Sequence, residues 1–242
     1  MLIVPQARPA PGQNPEATDL SPTLPADLAP DALRDLIARR VRPAPSAEPM
    51  RDWRRRRISG GEGRPMGDLF ARPPVPAAVL VPIVERADGL GVLLTQRSST
   101  LPHHPGQISF PGGRREPGDP DAVAAALRET EEEIGLDRSW VSVAGFLPDH
   151  LIPVSGYRVT PVVSFVRPGY ELRLDPIEVD EVFEVPLGHF LDPANHVPRV
   201  REYAGESVEF VDMPFGERNI WGATAGMLYT LYRLLRGEEL AA

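Results

Sequence analysis

Residues 113–136 read GRREPGDPDAVAAALRETEEEIGL, and they carry the strongest indications of both structure and chemistry in the sequence. Glu129, Glu132 and Glu133 are spaced so that a helix would place their carboxylates on one face. Acids in the last turn of a helix cost about a few tenths of a kcal/mol each, because unpaired carbonyls already make that end negative. A bound cation would reverse the sign, and carboxylates without cysteine favour Mg²⁺ or Mn²⁺. The alternative is a solvated acidic face.

The residues around these glutamates predict a strand, a glycine-rich loop and a helix. Residues 110–113, FPGG, end an apolar segment with a rigid turn and two glycines that allow a close approach of the backbone to a ligand. Asp119 before Pro120 is the predicted N-cap, with proline at the first helical position. Gly135 is expected to end the helix in a left-handed conformation. The helix would therefore bring carboxylates beside a loop suited to phosphate.

These residues resemble the Nudix hydrolase family, whose motif runs Gly, five residues, Glu, seven residues, then Arg-Glu-hydrophobic-x-Glu-Glu-x-Gly-hydrophobic. Residues 128–136, RETEEEIGL, match the second half with Thr130 at the hydrophobic position. The first half differs, because Asp119 replaces the glutamate and eight residues separate it from Arg128. Asp119 and Glu116 are both candidates for the first acid. The resemblance implies a Nudix-type α/β/α sandwich, an α/β fold with a mixed β-sheet between helical layers.

A second block of residues is similar to the branch of the family that cleaves coenzyme A. Residues 93–98 (LLTQRS), Gly106 and residues 110–113 match the coenzyme A pyrophosphatase signature, but Pro102 stands where the signature usually has arginine. Three later segments also resemble that branch: residues 156–163, 181–187 and 220–225. The resemblance covers residues 76–236. It implies hydrolysis of coenzyme A or acyl-coenzyme A to 3′,5′-ADP and (acyl-)4′-phosphopantetheine.

The family resemblance and the i, i+4 spacing together make Glu129 and Glu133 the predicted primary metal ligands. Glu132 is expected to complete the cluster or to orient the attacking water, and the Gly113 carbonyl to add an oxygen ligand. Arg128 is grouped with the catalytic residues, although its favoured role is to anchor the helix by pairing with an acid of the loop.

A second acidic cluster consists of Glu178, Asp180 and Glu181, and late acids of Nudix enzymes can complete a metal site. Glu181 is the predicted general base, with a solvated loop as the alternative. Arg97 is predicted to donate to a substrate phosphate, although it could instead form a salt bridge at a strand end. Residues 98–109 are expected to form a loop that reaches the nucleotide's 3′-phosphate. The other predicted substrate-binding residues are Ser98, His103, His104, Gly106, Phe110 and Gly112.

Composition limits the classes of function. The chain has 242 residues, a formal net charge of −8 and no cysteine. The negative charge argues against nucleic-acid binding, and the absence of cysteine excludes disulfides and thiolate metal sites. We expect no membrane partner and a cytoplasmic location, since the sequence shows neither a long apolar run nor a hydrophobic signal core. A homodimer is one state that the sequence leaves open.

The chain divides into four segments in this interpretation. Residues 1–30 are a proline-rich tail predicted to be disordered, and residues 237–242 are a short C-terminal tail. Residues 31–75 contain an amphipathic helix, with an apolar stripe of Leu33, Leu36, Ile37 and Val41, and a basic linker around residues 51–57. Residues 76–236 are the Nudix domain. The apolar patterns predict strands at residues 77–84, 91–95, 141–147, 157–166 and 208–211, and a closing helix at residues 219–236.

Two further functions stay open at the level of sequence. One is a Nudix hydrolase acting on another nucleoside diphosphate derivative, such as ADP-ribose or NADH, because Pro102 removes one contact of the signature. The other is a noncatalytic Nudix regulator that binds a nucleotide. The presence of all three glutamates argues against the regulator, since a binding module would not require them.

Overall fold

The computed structural model describes residues 28–46, 73–152, 155–203, 206–238 and 240. Its α-helices are α1 (Pro30–Arg40), α2 (Ala122–Ile134), α3 (Leu187–Leu191) and α4 (Gly222–Leu235). Its strands are β1 (Val75–Arg86), β2 (Gly89–Arg97), β3 (Ile108–Ser109), β4 (Gly112–Arg114), β5 (Val141–Phe146), β6 (His150–Ile152), β7 (Tyr157–Val166), β8 (Val179–Pro186), β9 (Val197–Tyr203) and β10 (Glu206–Asp212). All five predicted strands and both predicted helices outside 113–136 are present, whereas β3, β4, β6, β8 and β9 are not among those five strands.

The sheet is mixed and is centred on β1. Its strands follow the order β3-β2-β1-β7-β5, while β4 pairs with β1, β6 with β7 and β8 with β2. The pairing of β1 with β7 is parallel, and the other pairings are antiparallel. Because β4 lies directly on β1, the two glycines of the FPGG turn are fixed to the central strand. β9 and β10 form a separate hairpin.

Helices cover both faces of this sheet, which makes the predicted α/β/α sandwich correct. Alternate residues of β1 point to opposite faces, so that Leu80 belongs to one apolar cluster and Val81 to the other. The first cluster joins the sheet to α2 through Ala125 and Ala126. The second cluster joins the sheet to α1, α3 and α4.

The N-terminal helix belongs to the same core as the sheet. Its predicted stripe is confirmed, because Ile37 is fully buried, Val41 is buried, and Leu33 and Leu36 pack against the second cluster. The tail before residue 28 and the basic cluster at residues 51–57 lie outside the described residues. Within the described ranges, no helix is long and apolar enough to cross a bilayer.

Candidate active site

Helix α2 carries the three glutamates, and its two ends differ in how well the sequence predicted them. The predicted N-cap, Asp119, is wrong: Asp121 is the N-cap, and its side chain accepts a hydrogen bond from the Ala124 N–H at 2.8 Å. The C-terminal prediction is confirmed, because Gly135 adopts φ 69° and its N–H donates to the Glu131 carbonyl. Thr130, at the hydrophobic position of the motif, is fully buried, and its hydroxyl donates to the Ala126 carbonyl at 2.7 Å.

Asp119 is not free to cap the helix because Arg128 holds it. The Nε and Nη2 atoms of Arg128 each lie 3.0 Å from one oxygen of the Asp119 carboxylate. This bidentate pair holds the pKa of Asp119 below its ordinary value, with a smaller effect from the Glu116 N–H. Arg128 also donates to the Arg114 carbonyl at 3.1 Å. It thus joins α2 to the preceding loop, which is the pairing with a loop acid that the sequence predicted.

Glu133 is a buried carboxylate aimed at the glycine turn. Its side chain is 5% exposed, and its Oε2 accepts the Gly112 N–H at 3.0 Å. Its Oε1 lies 3.7 Å from Nη1 of Arg97. Burial raises the pKa of Glu133 to about 7, although the Gly112 N–H and Arg97 both act in the opposite direction. These two contacts of Glu133 bring α2, the end of β2 and the glycine turn together.

Glu129 lies one helical turn before Glu133 and faces the same loop. A Cβ atom added to Gly113 would lie 2.5 Å from its Oε2, so the carboxylate occupies the space that any other side chain at position 113 would need. The adjacent Gly112 has φ 142°, and a Cβ there would lie 2.4 Å from the Ala78 carbonyl oxygen. Partial burial raises the pKa of Glu129, although the Arg128 guanidinium works in the opposite direction.

Glu132, unlike Glu129 and Glu133, does not face the glycine turn. Its side chain is 59% exposed, and its Oε2 accepts a hydrogen bond from Nη1 of Arg128 at 2.9 Å. Arg128 also holds Glu129, through Nη2 at 3.0 Å. Consistent with this pairing, the described part of the chain contains no group of three or more acidic or histidine side chains already arranged to hold a metal ion.

Among the late acids, Glu178 rather than Glu181 is the one whose charge acts on the pair on α2. The negative charge of Glu178 contributes to the raised pKa of both Glu129 and Glu133. Glu181 instead forms an ion pair with Arg218. The Arg218 guanidinium lies 4.4 Å from the ring centroid of Phe183, which packs on the cluster that faces α4.

A β-bulge in β8 determines which face of the sheet each of these late acids occupies. Gln96 pairs with Glu181 but Arg97 pairs with Val179, so Asp180 is an extra residue in β8. The bulge turns Val179 toward α2 and Glu181 toward the opposite face of the sheet. The Asp180 carboxylate is used locally, since it accepts the Ser99 N–H at 2.9 Å. Regular alternation would have placed Val179 and Glu181 on one face.

The predicted substrate loop is the hairpin loop between β2 and β3, residues 98–107. Its base is closed by the Gly106 N–H, which donates to the Arg97 carbonyl at 3.1 Å, and Gly106 has φ 68°. His103 and His104 are exposed at its tip, and His104 has φ 55°, which non-glycine residues seldom adopt. Pro102 is also exposed. The loop therefore offers polar side chains beside Arg97.

Two of the residues predicted to contact the substrate are buried. Phe110 is 3% exposed and belongs to the core cluster shared with α4, so its ring presents no surface to a ligand. Ser98 is 1% exposed, and its hydroxyl is hydrogen-bonded to that of Thr100 at 2.9 Å. The structure shows core packing for Phe110 and a hydrogen bond within the loop for Ser98, and a sequence motif alone does not separate such roles from substrate binding.

The donor set of the site fits a hard divalent cation. The charge of Glu178 raises the pKa values of Glu129 and Glu133, and the charge of Glu129 also raises the pKa of Glu133, so a cation among these carboxylates would relieve the repulsion. Carboxylate oxygens are ligands that suit Mg²⁺ and Mn²⁺. The Gly112–Gly113 turn lies beside the carboxylates without side chains of its own.

The chain is similar to several known proteins. A family model described as the NUDIX domain matches residues 74–204. A protein of Escherichia coli (strain K12 / DH10B), described as the uncharacterized Nudix hydrolase NudL, is 43% identical over 155 residues, covering 64% of this chain and 80% of that protein. A protein of Shigella boydii serotype 18 (strain CDC 3083-94 / BS512) with the same description has the same identity and coverage. Among solved structures, the MutT protein from Methanosarcina mazei Go1 is 19% identical with a TM-score of 0.46, covering 69% of this chain and 97% of that chain.

The domain match includes β1, the glycine turn, all of α2 and the segment that carries Glu178. It spans more than half of the 242 residues, and the bacterial relatives are aligned over most of their length. The chain therefore belongs to the Nudix hydrolase family.

Proposed function

We propose that this protein hydrolyses the diphosphate of coenzyme A or acyl-coenzyme A with the help of Mg²⁺ or Mn²⁺. The observation that carries the proposal is the buried Glu133 carboxylate, held between the Gly112 N–H at 3.0 Å and Arg97 at 3.7 Å. An acid with two such neighbours and a second carboxylate one turn away is suited to a divalent ion, and Arg97 is placed to meet the phosphate that such an ion would neutralise.

Each residue of the site has a distinct part in this proposal. Glu129 and Glu133 would hold the cation, which when bound neutralises the diphosphate oxygens and lowers the pKa of water. Arg97 would donate to a phosphate oxygen, and Arg128 keeps α2 joined to the loop through Asp119. Glu132 would take part only by leaving its present contact with Arg128.

The general base of the proposal is Glu178, in place of Glu181, because Glu178 is the late acid whose charge acts on Glu129 and Glu133. Glu178 would accept a proton as the water oxygen attacks one phosphorus of the diphosphate. A new P–O bond forms, the bond from that phosphorus to the bridging oxygen breaks, and the bridging oxygen leaves with the other phosphate. One water is consumed, and the products are 3′,5′-ADP and (acyl-)4′-phosphopantetheine.

The choice of coenzyme A is supported by the residues that surround Arg97. The segment from residue 93 to residue 113, which resembles the coenzyme A pyrophosphatase signature, forms β2, the hairpin loop, β3 and β4 in succession. These elements carry Arg97 and the glycine turn to Glu133, so the resembling residues surround the proposed reaction centre. The exposed loop with His103 and His104 is available for the 3′-phosphate, although Pro102 supplies no cation there.

The purified protein should release 3′,5′-ADP from coenzyme A in a reaction that requires Mg²⁺ or Mn²⁺. Chromatography of the products, with free, acylated and oxidised coenzyme A, ADP-ribose and NADH as parallel substrates, tests this directly. Faster turnover of ADP-ribose or NADH than of any coenzyme A form would replace the proposal with hydrolysis of another nucleoside diphosphate derivative. Nucleotide binding without cleavage would favour a noncatalytic regulator.

A further inference from the structure

The segment before β8 is joined to the C-terminal end of α2 by backbone hydrogen bonds. The Arg173 N–H donates to the Ile134 carbonyl at 2.9 Å, and the Asp175 N–H donates to the Glu133 carbonyl at 2.9 Å. Carbonyls in the last turn of a helix have no partner within the helix, so these two bonds satisfy groups that the helix leaves open. The second bond connects the segment to the backbone of a glutamate of the site.

Gly135 makes this close approach possible. A Cβ at position 135 would lie 2.9 Å from both the nitrogen and the oxygen of Arg173, in addition to the φ of 69° that already favours glycine. The glycine of the motif therefore does more than end the helix. It allows a second segment of chain to lie across the helix end.

Asp175 then directs the chain into the turn that carries Glu178. Its Oδ1 accepts the Ile177 N–H at 2.8 Å, and its carbonyl accepts the N–H groups of Glu178 at 3.1 Å and Val179 at 2.9 Å. On the other side, the Glu178 carbonyl accepts the Ser98 N–H at 2.8 Å. The backbone of Glu178 is thus held at both its nitrogen and its oxygen.

We propose that Asp175 is a positioning residue, which sets the place of the Glu178 carboxylate relative to Glu129 and Glu133. The inference rests on the proposed function, in which Glu178 is the general base. The role of Asp175 is inferred from two backbone hydrogen bonds: its N–H donates to the Glu133 carbonyl, and its carbonyl accepts the Glu178 N–H. Its side chain fixes the turn between those two bonds, so loss of Oδ1 would allow Glu178 to move while Glu133 stays in the helix.

The test compares Asp175→Ala with Asp175→Asn, because asparagine keeps an oxygen that can accept the Ile177 N–H. We expect Asp175→Ala to lower kcat for coenzyme A hydrolysis by about tenfold with little change in KM, as is typical when the partner of a site residue is lost. Asp175→Asn should retain most of the wild-type kcat. In a Glu178→Gln background, Asp175→Ala should cause no further loss, because the group that it positions is already gone.

The matched control is Asp137→Ala. Asp137 also accepts the N–H two residues ahead, that of Ser139 at 2.7 Å, but its turn lies in the 3₁₀ segment between α2 and β5. A similar loss of kcat in Asp137→Ala and Asp175→Ala, or additive losses with Glu178→Gln, would mean that Asp175 is merely structural and would overturn the inference.

Mn²⁺ binding without substrate separates this inference from the proposed function. Because the negative charge of Glu178 acts on both Glu129 and Glu133, its displacement should also weaken their attraction for a cation. The EPR signal of free Mn²⁺ should therefore show about tenfold weaker binding in Asp175→Ala than in the wild type and in Asp175→Asn. If the wild type binds Mn²⁺ but does not cleave coenzyme A, the substrate assignment fails while this comparison still decides the role of Asp175. Equal Mn²⁺ affinity in all three proteins, together with equal kcat where turnover is seen, contradicts the positioning role.

Discussion

Replacing Glu133 with glutamine should make the metal-free protein more stable above neutral pH. Burial raises the pKa of Glu133 to about 7 from an ordinary 4.5, so the folded state keeps a proton that the unfolded state has already lost. Stability contributed by this group is therefore present at low pH and is lost as pH rises from about 4.5 to 7. The difference between the two pKa values corresponds to about 3 kcal/mol.

Urea unfolding in EDTA measures this effect as a difference between the wild type and Glu133→Gln. The amide of the variant resembles the protonated acid in shape. The free energy of unfolding of the variant minus that of the wild type should therefore increase by about 3 kcal/mol as pH rises from about 5 to 8. Taking the difference removes the titration of all other groups, because both proteins share them. Added Mg²⁺ should stabilise the wild type more than the variant, since the variant lacks one charged ligand.

Glu131→Gln is the control on the same helix. Its hydrogen bonds with Arg138 lower the pKa of Glu131, so this acid is ionised throughout the interval and its replacement should give no relative change between the two pH values. A constant stability difference between wild type and Glu133→Gln at both pH values would refute the argument that burial of a charged Glu133 is costly without a cation.

Three other perturbations follow from the site. In Gly113→Ala the new methyl group would lie 2.5 Å from Glu129 Oε2 and would displace that carboxylate. The protein should still fold, but Mn²⁺ binding measured by EPR should be roughly 10- to 100-fold weaker. An unchanged Mn²⁺ affinity would show that Glu129 is not a metal ligand. Asp119→Asn should lower Tm at neutral pH, because Arg128 loses its bidentate carboxylate partner. The difference in Tm from the wild type should shrink as pH falls, because the wild-type carboxylate becomes protonated. A Tm difference that does not change with pH would contradict this explanation. Removing residues 1–28 should leave kcat for coenzyme A within about twofold, and a large loss would assign the tail to the site.

Local patterns predicted most of the sheet and the helix ends that depend on nearby residues. The apolar runs of β1, β2 and β7 and the stripe of α1 each follow from burial, and Gly135 follows from the backbone conformation at a helix end. These features depend on hydrophobicity and φ, which are visible residue by residue.

The parts that the sequence did not predict depend on long-range contacts. Asp119 was expected to cap α2, but the guanidinium of Arg128 binds both its oxygens and Asp121 takes the cap. Glu181 was expected at the reaction centre, but the bulge in β8 turns it to the face where it pairs with Arg218, and among the late acids the charge of Glu178 is the one that acts on Glu133. Phe110 lies in a motif that resembles a substrate signature, although its ring is core.

An Mn²⁺ titration tests the assignment of the metal ligands most directly. The EPR signal of the free ion reports binding, and the proteins compared are the wild type, Glu129→Gln, Glu133→Gln and the control Glu131→Gln. We expect the wild type and the control to bind alike, and each of the two site variants to bind at least about tenfold more weakly. Equal binding by all four proteins would contradict the claim that Glu129 and Glu133 hold the ion that hydrolysis requires.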